Sequence, residues 1–318
     1  MTRASTQRPP RSLPAALAPR RLGLIRSRLL AWYDEQPHDF PWRAARDPYA
    51  ALVAAVCAQQ TQMSRVLKIY ARWMDAFPTL AACAAASRAE VLRVWGRAGY
   101  PRRAAALHEA ARRCLAEHGG AVPRDRAALL ALPGVGPFTA AIVACFGFGD
   151  DAVAVDTNVV RLVGRLVYGD LQPARETPPP AIEAAAARLL PPGAAGRWNP
   201  ALMDFGARVC APRPRCTQCA VAGLCAARDR FAAGERAVPV RVQPAFAGSD
   251  RERRGRIMRA LRERDGDGSG LALAALWREL GVAEGERADA RRRLEALAAD
   301  GLAWVARGRA GLGEPPAR

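Results

Sequence analysis

Four of the eight cysteines lie in one short stretch: Cys210, Cys216, Cys219 and Cys225, spaced C-x5-C-x2-C-x5-C. No other feature constrains the fold as strongly, because four thiolates held this close need a metal centre to offset their charge. A structural zinc site usually pairs two C-x2-C knuckles, whereas here one C-x2-C is flanked by single cysteines. Four-cysteine ligation in a compact loop also suits a [4Fe–4S] cluster. Spacing alone leaves both metals open. Nothing in the chain has the pattern of a secretory signal peptide, which argues against a disulfide framework. Cys57, Cys83, Cys114 and Cys145 are scattered through apolar helical stretches and read as small core residues.

Around that loop the pattern is helical. Apolar residues recur every three or four positions in Leu22–Tyr33, Tyr49–Cys57, Val66–Phe77, Glu90–Trp95, Arg103–Glu117 and Phe138–Phe146. Pro41, Pro48, Pro78, Pro101, Pro123 and Pro133 fall between these runs, where helices start or stop. Strand signals are nearly absent, so the expected fold class is all-α. A helix over Pro200–Val209 leads into the cysteine loop. Residues 1–21 are rich in Arg, Pro, Ser and Thr and read as a disordered basic tail. The main domain then spans 22–230, with the cysteine loop at 210–225. Residues 231–249 carry two prolines and little periodicity, and read as a linker. Three amphipathic helices and a short β-like pair around Ala303–Gly311 suggest a small winged-helix-like module over 250–312.

Charge narrows the partner. The chain has 48 Lys+Arg against 30 Asp+Glu, a formal charge of +18, and Lys68 is its only lysine. On a folded, half-apolar chain such a charge points to a polyanion, with nucleic acid favoured over membrane. A genome-wide bias toward arginine and alanine accounts for part of it. No apolar stretch is long enough to span a bilayer. Schiff-base chemistry would need Lys68 or the amino terminus. The three histidines, His38, His108 and His118, are not spaced as paired metal ligands, which argues against zinc hydrolase and Ser-His-Asp mechanisms.

Two motifs carry the chemistry. Leu132-Pro133-Gly134-Val135-Gly136 joins two helical runs; its glycines permit a tight turn and close approach of backbone to another object. The following helix then points free N–H groups outward, an arrangement suited to a phosphate. Asp156 follows, within Val155-Asp156-Thr157-Asn158-Val159, with Arg161 and Arg165 beyond. Taken alone, an aspartate in that setting reads equally as a helix N-cap.

Together, the hairpin, VDTNV, Met203-Asp204-Phe205-Gly206-Ala207-Arg208 and the cysteine loop resemble the helix-hairpin-helix DNA glycosylases with an iron–sulfur cluster. Phe40-Pro41-Trp42-Arg43, Asp47-Pro48-Tyr49, Gln59-Gln60-Thr61-Gln62 and Trp95-Gly96-Arg97-Ala98-Gly99-Tyr100 are similar to the adenine DNA glycosylase (MutY) family. The resemblance runs from about Leu22 to Arg228, and the tail beyond Phe246 looks like that of actinobacterial members. It implies a helix-hairpin-helix glycosylase fold with a six-helix domain and an iron–sulfur domain. Asp156 would stabilise positive charge at the sugar as the base departs. Gln59, Gln60 and Gln62 would lie against the duplex, and Tyr100 would wedge beside the opposite base. Gly134, Val135 and Gly136 would hold the DNA backbone. Cys210, Cys216, Cys219 and Cys225 would ligate a [4Fe–4S] cluster, with Arg213 and Arg215 reaching phosphates.

The sequence departs from the family pattern at three places. Ala55 occupies the position of the glutamate that protonates the departing adenine, and no acidic residue occurs between Asp47 and Asp75. Phe138 stands where the endonuclease III relatives carry the Schiff-base lysine, so no lyase activity is expected. The first cysteine gap is five residues where the family usually has six. The expected function is therefore a monofunctional DNA glycosylase of base excision repair. It would act on adenine opposite 8-oxoguanine or guanine in double-stranded DNA, as a cytoplasmic, nucleoid-associated monomer. Ala55 leaves two alternatives: excision of a different, for example alkylated, base, or a non-catalytic mismatch- or lesion-binding protein.

Overall fold

The computed structural model describes residues 17–37, 40–237, 245–265 and 268–315. The tail expected over 1–21 lies outside these as far as residue 16, and the expected linker lies outside them at 238–244. In chain order the helices are α1 (Pro19–Asp34), α2 (Pro41–Ala44), α3 (Pro48–Ala58), α4 (Met63–Ala76), α5 (Leu80–Ala85), α6 (Arg88–Trp95) and α7 (Arg102–Glu117). Next come α8 (Arg126–Ala131), α9 (Pro137–Ile142), α10 (Thr157–Val163), α11 (Pro173–Glu176), α12 (Pro179–Leu189), α13 (Ala195–Arg208) and α14 (Arg228–Ala232). The chain continues with α15 (Asp250–Arg264), β1 (Leu271–Ala272), α16 (Leu273–Leu280), α17 (Arg287–Ala299), β2 (Ala303–Ala306) and β3 (Arg309–Leu312). Among the described residues no helix is long and apolar enough to cross a membrane.

The chain divides into two compact units, each built from two separate stretches. The first joins Met1–Asp47 to Pro137–Val242, and the second joins Pro48–Gly136 to Gln243–Arg318.

In the first unit, α10 packs against α12 and α13, and α1 packs against α13. Their shared core includes Ile25 and Leu29 of α1, Val159, Leu162 and Val163 of α10, Leu189 of α12, and Trp198, Leu202 and Phe205 of α13. The apolar side chains recur at helical spacing, so each helix buries one stripe. Two helices widen into π turns that the periodicity does not announce. α9 continues through Val143–Gly147 and α10 through Gly164–Tyr168. Such turns insert a residue into the helical register and gather at functional sites.

In the second unit, α3 is apolar all round and every residue from Tyr49 to Cys57 is buried. Trp73 of α4 stands edge-on to Trp95 of α6 with ring centroids 5.8 Å apart, and its indole N–H donates to the Tyr49 hydroxyl at 3.1 Å. α6 starts at a capping box in which Ser87 and Glu90 satisfy each other's main-chain N–H groups. The C-terminal stretch departs from a purely helical fold. β1, β3 and β2 form an antiparallel sheet in the order β1-β3-β2, with Trp304 opposite Gly311 and Leu271 opposite Ala310. The expected β-like pair is therefore joined by a third strand of only two residues. The buried carboxylate of Asp265 holds the sheet by accepting from Gly270 N at 2.9 Å and Leu312 N at 2.8 Å. Gly313, at the end of β3, lies close against Arg88 and Ala89 of α6.

Candidate active site

Asp156 is the N-cap of α10. Its Oδ1 accepts from the main-chain N–H groups of Asn158 (2.9 Å) and Val159 (2.8 Å), and its Oδ2 accepts from Asn158 Nδ2 at 2.8 Å. The capping geometry is thus real, and it fixes the carboxylate. Burial pushes the Asp156 pKa above the usual aspartate value, and the three hydrogen bonds and Arg161 oppose that rise. Asn158 is fixed in turn, because its Oδ1 accepts from Arg161 Nη2 at 2.7 Å. Arg161 also donates to Gly206 O at 2.6 Å and to Cys210 O at 2.7 Å. A continuous chain of hydrogen bonds therefore runs from the Asp156 carboxylate through Asn158 and Arg161 to the first cysteine of the loop. Gly206 makes this approach possible, since a Cβ there would lie 2.8 Å from Asn158 O. Met203-Asp204-Phe205-Gly206 holds a second link, with Asp204 paired to Arg43 at 3.1 Å.

All four loop cysteines, together with Leu162, Arg165 and Val221, line one hollow. They are free thiols. Burial raises the pKa of Cys219 to about 11 and of Cys225 to about 12. Burial also raises Cys210, against the pull of Arg165 and Arg161. Arg165 is itself buried, and its guanidinium donates to Leu171 O (3.1 Å), Ala211 O (2.7 Å) and Pro212 O (3.2 Å), with Nη1 3.7 Å from Cys210 Sγ. A buried cation beside a cysteine sulfur, its other acceptors main-chain carbonyls, favours the thiolate form of that cysteine. Among the described residues, no three His, Cys, Asp or Glu side chains draw together tightly enough to hold a single metal ion. Instead, the thiols stand around the hollow. Arg213 and Arg215 of this loop are exposed. Phe138, on α9, is half-buried.

The remaining candidates lie in the second unit. Ala55 is only 3% exposed, near the end of α3. Beyond that helix Gln59 is half-buried, and Gln60 and Gln62 are exposed. Gln59 Nε2 donates to Gly134 O at 3.4 Å, which ties the glutamine segment to the hairpin. In the hairpin Gly134 is exposed with φ +77°, and a Cβ there would come within 2.8 Å of Ala106 Cβ. The Val135 side chain is buried and its N–H donates to Leu132 O at 3.2 Å; Gly136 is half-buried. Tyr100 is 44% exposed. Gln60 (φ +52°) and Tyr100 (φ +47°) both hold the left-handed backbone that non-glycine residues avoid. Strain of this kind persists only where the surroundings enforce it.

Arg103 is what enforces it, and its role is not visible in the sequence. Its Nη1 donates to Val56 O (3.1 Å), Cys57 O (3.2 Å), Gln59 O and Thr61 Oγ1 (3.1 Å). Its Nη2 donates to Ala98 O (3.4 Å) and Gly99 O (3.3 Å), and the guanidinium stacks over the Trp95 and Tyr100 rings. One side chain thus satisfies the orphan carbonyls ending α3 and shapes both strained segments. The sequence signal is the second of two arginines after Tyr100-Pro101, which has no contrast in a chain this rich in arginine.

Residues 53–192 match the family described as HhH-GPD superfamily base excision DNA repair protein. The chain is 40% identical over 276 residues to an adenine DNA glycosylase of Mycolicibacterium smegmatis, covering 86% of this chain and 90% of that protein. It is 40% identical over 216 residues to the human adenine DNA glycosylase, covering 65% of this chain and 40% of that one. Among solved structures, a thermostable thymine-DNA glycosylase superposes with a TM-score of 0.59 at 33% identity, over 66% of this chain and 97% of that chain. A capped aspartate, a glycine hairpin and a four-cysteine loop thus occur in a chain that follows one enzyme family nearly end to end, and the chain belongs to the adenine DNA glycosylase family.

Proposed function

We propose that this protein removes mispaired adenine from double-stranded DNA in base excision repair, hydrolysing the N-glycosidic bond opposite 8-oxoguanine or guanine. The observation that carries this reading is the fixed, half-buried carboxylate of Asp156. As the base departs, positive charge develops at C1′ of the sugar. A carboxylate beside it stabilises that charge most where water is excluded and the group needs no reorganisation. Cap hydrogen bonds from Asn158 and Val159 hold one oxygen, and Asn158 Nδ2 orients the other. Water then adds to the sugar. Phe138 offers no amine at the lyase position, so the product is an intact abasic strand.

The glutamine segment and Tyr100 would meet the duplex around the extruded base. Left-handed backbone at Gln60 and Tyr100, with the exposure of Gln60, Gln62 and Tyr100, supports that role. Gly134 and Gly136 would receive the phosphate backbone, with Val135 anchoring the turn through its buried side chain. Arg213 and Arg215 would reach further phosphates. Cys210, Cys216, Cys219 and Cys225 would hold a [4Fe–4S] cluster, which would order the loop bearing these arginines. All four thiols line one hollow, and Arg165 offsets thiolate charge. The order helix, strand, two helices and hairpin after residue 249 supports a winged-helix module in the C-terminal stretch.

Incubation with excess enzyme should release adenine from A:8-oxoguanine and A:G duplexes, leave A:T intact, and nick strands only after alkali. Absence of release from both mispairs, or a nick without alkali, would overturn the reading. Protein purified without oxygen should contain about four irons and matching sulfide per chain. Stoichiometric zinc without iron would exclude the cluster.

A further inference from the structure

The C-terminal stretch does more than append a small sheet. The end of α15 lies against the loop that carries Tyr100. Arg93 of α6 donates to Asp265 O at 2.6 Å, and Arg97 pairs with Glu263 of α15 at 3.2 Å. On the same loop Arg72 donates to Trp95 O at 2.8 Å and lies against Gly96, while Arg65 donates to Arg97 O at 3.0 Å. These contacts gather guanidinium groups from α4, the Trp95–Tyr100 loop and α15. Arg259 and Arg262 of α15 join them, and among the described residues neither forms an ion pair. Arg262 is half-buried and feels Arg97, Arg259 and Arg72 as well as the acidic Glu263.

Like charges crowded this way repel one another, and neither folding nor burial gains from the arrangement. A counter-charge from outside would relieve it. Elsewhere on the same C-terminal stretch arginines are paired: Arg291 with Glu295, Arg292 with Asp289, Arg254 with Asp300.

We propose that Arg259 and Arg262, together with Arg65, Arg72 and Arg97, form a phosphate-binding strip that carries the DNA backbone from Tyr100 onto the C-terminal module. DNA fits better than an acidic protein because the strip continues from the exposed Gln62 and Tyr100, and guanidinium groups match phosphate oxygens in fork geometry. This inference rests on the DNA glycosylase reading. The C-terminal module would then add affinity without reading sequence, since backbone contacts position and do not specify.

Fluorescence anisotropy across a salt series tests it, using a 30-base-pair duplex with an A:G mispair and its fully paired counterpart. R259A/R262A should weaken binding to both duplexes about tenfold and lower the slope of log K against log salt by about 1.8. R259K/R262K should keep the slope, which separates lost charge from lost folding. R291A/R292A removes the same charge elsewhere on the module and should leave the slope unchanged. An unchanged slope in R259A/R262A, or an equal loss in R291A/R292A, overturns the strip. If wild-type protein binds neither duplex, the glycosylase reading itself fails, a result distinct from both.

Discussion

Asp156→Asn is expected to lower single-turnover adenine release by about 10³-fold, or about 4 kcal/mol of transition-state stabilisation. The substitution removes charge and almost nothing else. Asparagine caps helices as well as aspartate does, so the N–H groups of Asn158 and Val159 keep an acceptor. At the second oxygen the new amide would face Asn158 Nδ2, donor against donor. Asn158 cannot turn over to relieve this without giving up its bond from Arg161. The structural cost is then about one hydrogen bond, about 1 kcal/mol, and a Tm lowered by no more than about 4 °C. Activity lost with the melting curve preserved identifies an electrostatic role. Retention of full activity would remove Asp156 from the mechanism. The pH profile adds a second readout: Asp156 must be ionised to act, and burial raises its pKa. The acid limb of the wild-type rate should therefore lie above the ordinary aspartate range.

The second large effect runs in the opposite direction. Ala55→Glu is expected to accelerate adenine release by about 10²–10⁴-fold, the usual contribution of a positioned general acid. Neutral adenine leaves poorly, and α3 offers nothing to protonate it, with no acidic residue between Asp47 and Asp75. Position 55 is buried in a helix whose neighbours are all apolar. A glutamate there would have its pKa raised by desolvation and would keep its proton where an exposed one would lose it. The accelerated rate should then fall as pH rises through that raised pKa, giving a bell where wild type shows only the acid limb. Ala55→Gln matches the side chain in size without the proton and should show no gain. A glutamate variant no faster than the glutamine one means that protonation is supplied in another way. The variant should also melt lower, since extra volume in a packed core costs about 1–3 kcal/mol.

Legibility varied with the type of signal. Prolines at helix starts and the stripes of apolar residues announced α1, α3, α4 and α7, because helix breakers and periodicity are local properties; α13 was expected to start at Pro200 but begins at Ala195, with Pro200 inside it. The cysteine loop, the hairpin and Asp156 stood out as short motifs, but spacing alone left their roles open, and only the family resemblance gave each one a role. Arg103, Arg161 and Arg165 were not, although each holds functional backbone in place. Among 48 Lys+Arg with a single lysine, one more arginine carries no contrast. Only burial and the carbonyls around it distinguish it. The π turns after α9 and α10 are invisible for another reason: one inserted residue shifts helical phase by less than a stripe's width. β1 is two residues long and has no period to detect. Its existence depends on β3, which lies far along the chain.

The interleaving of the two units has a consequence for how the protein is made. The chain passes from one unit to the other after residues 47, 136 and 242. α1 therefore leaves the ribosome without α10, α12 and α13, its core partners, and waits with Leu22, Ile25 and Leu29 uncovered. At about 5–20 residues per second that wait lasts several seconds or longer. The second unit is completed only once β3 reaches α6. Each unit must wait for a second stretch made after the chain has passed through the other, so this enzyme matures by late, long-range closure, and a nascent chain stalled near residue 200 would still present unfinished surfaces of both units to chaperones.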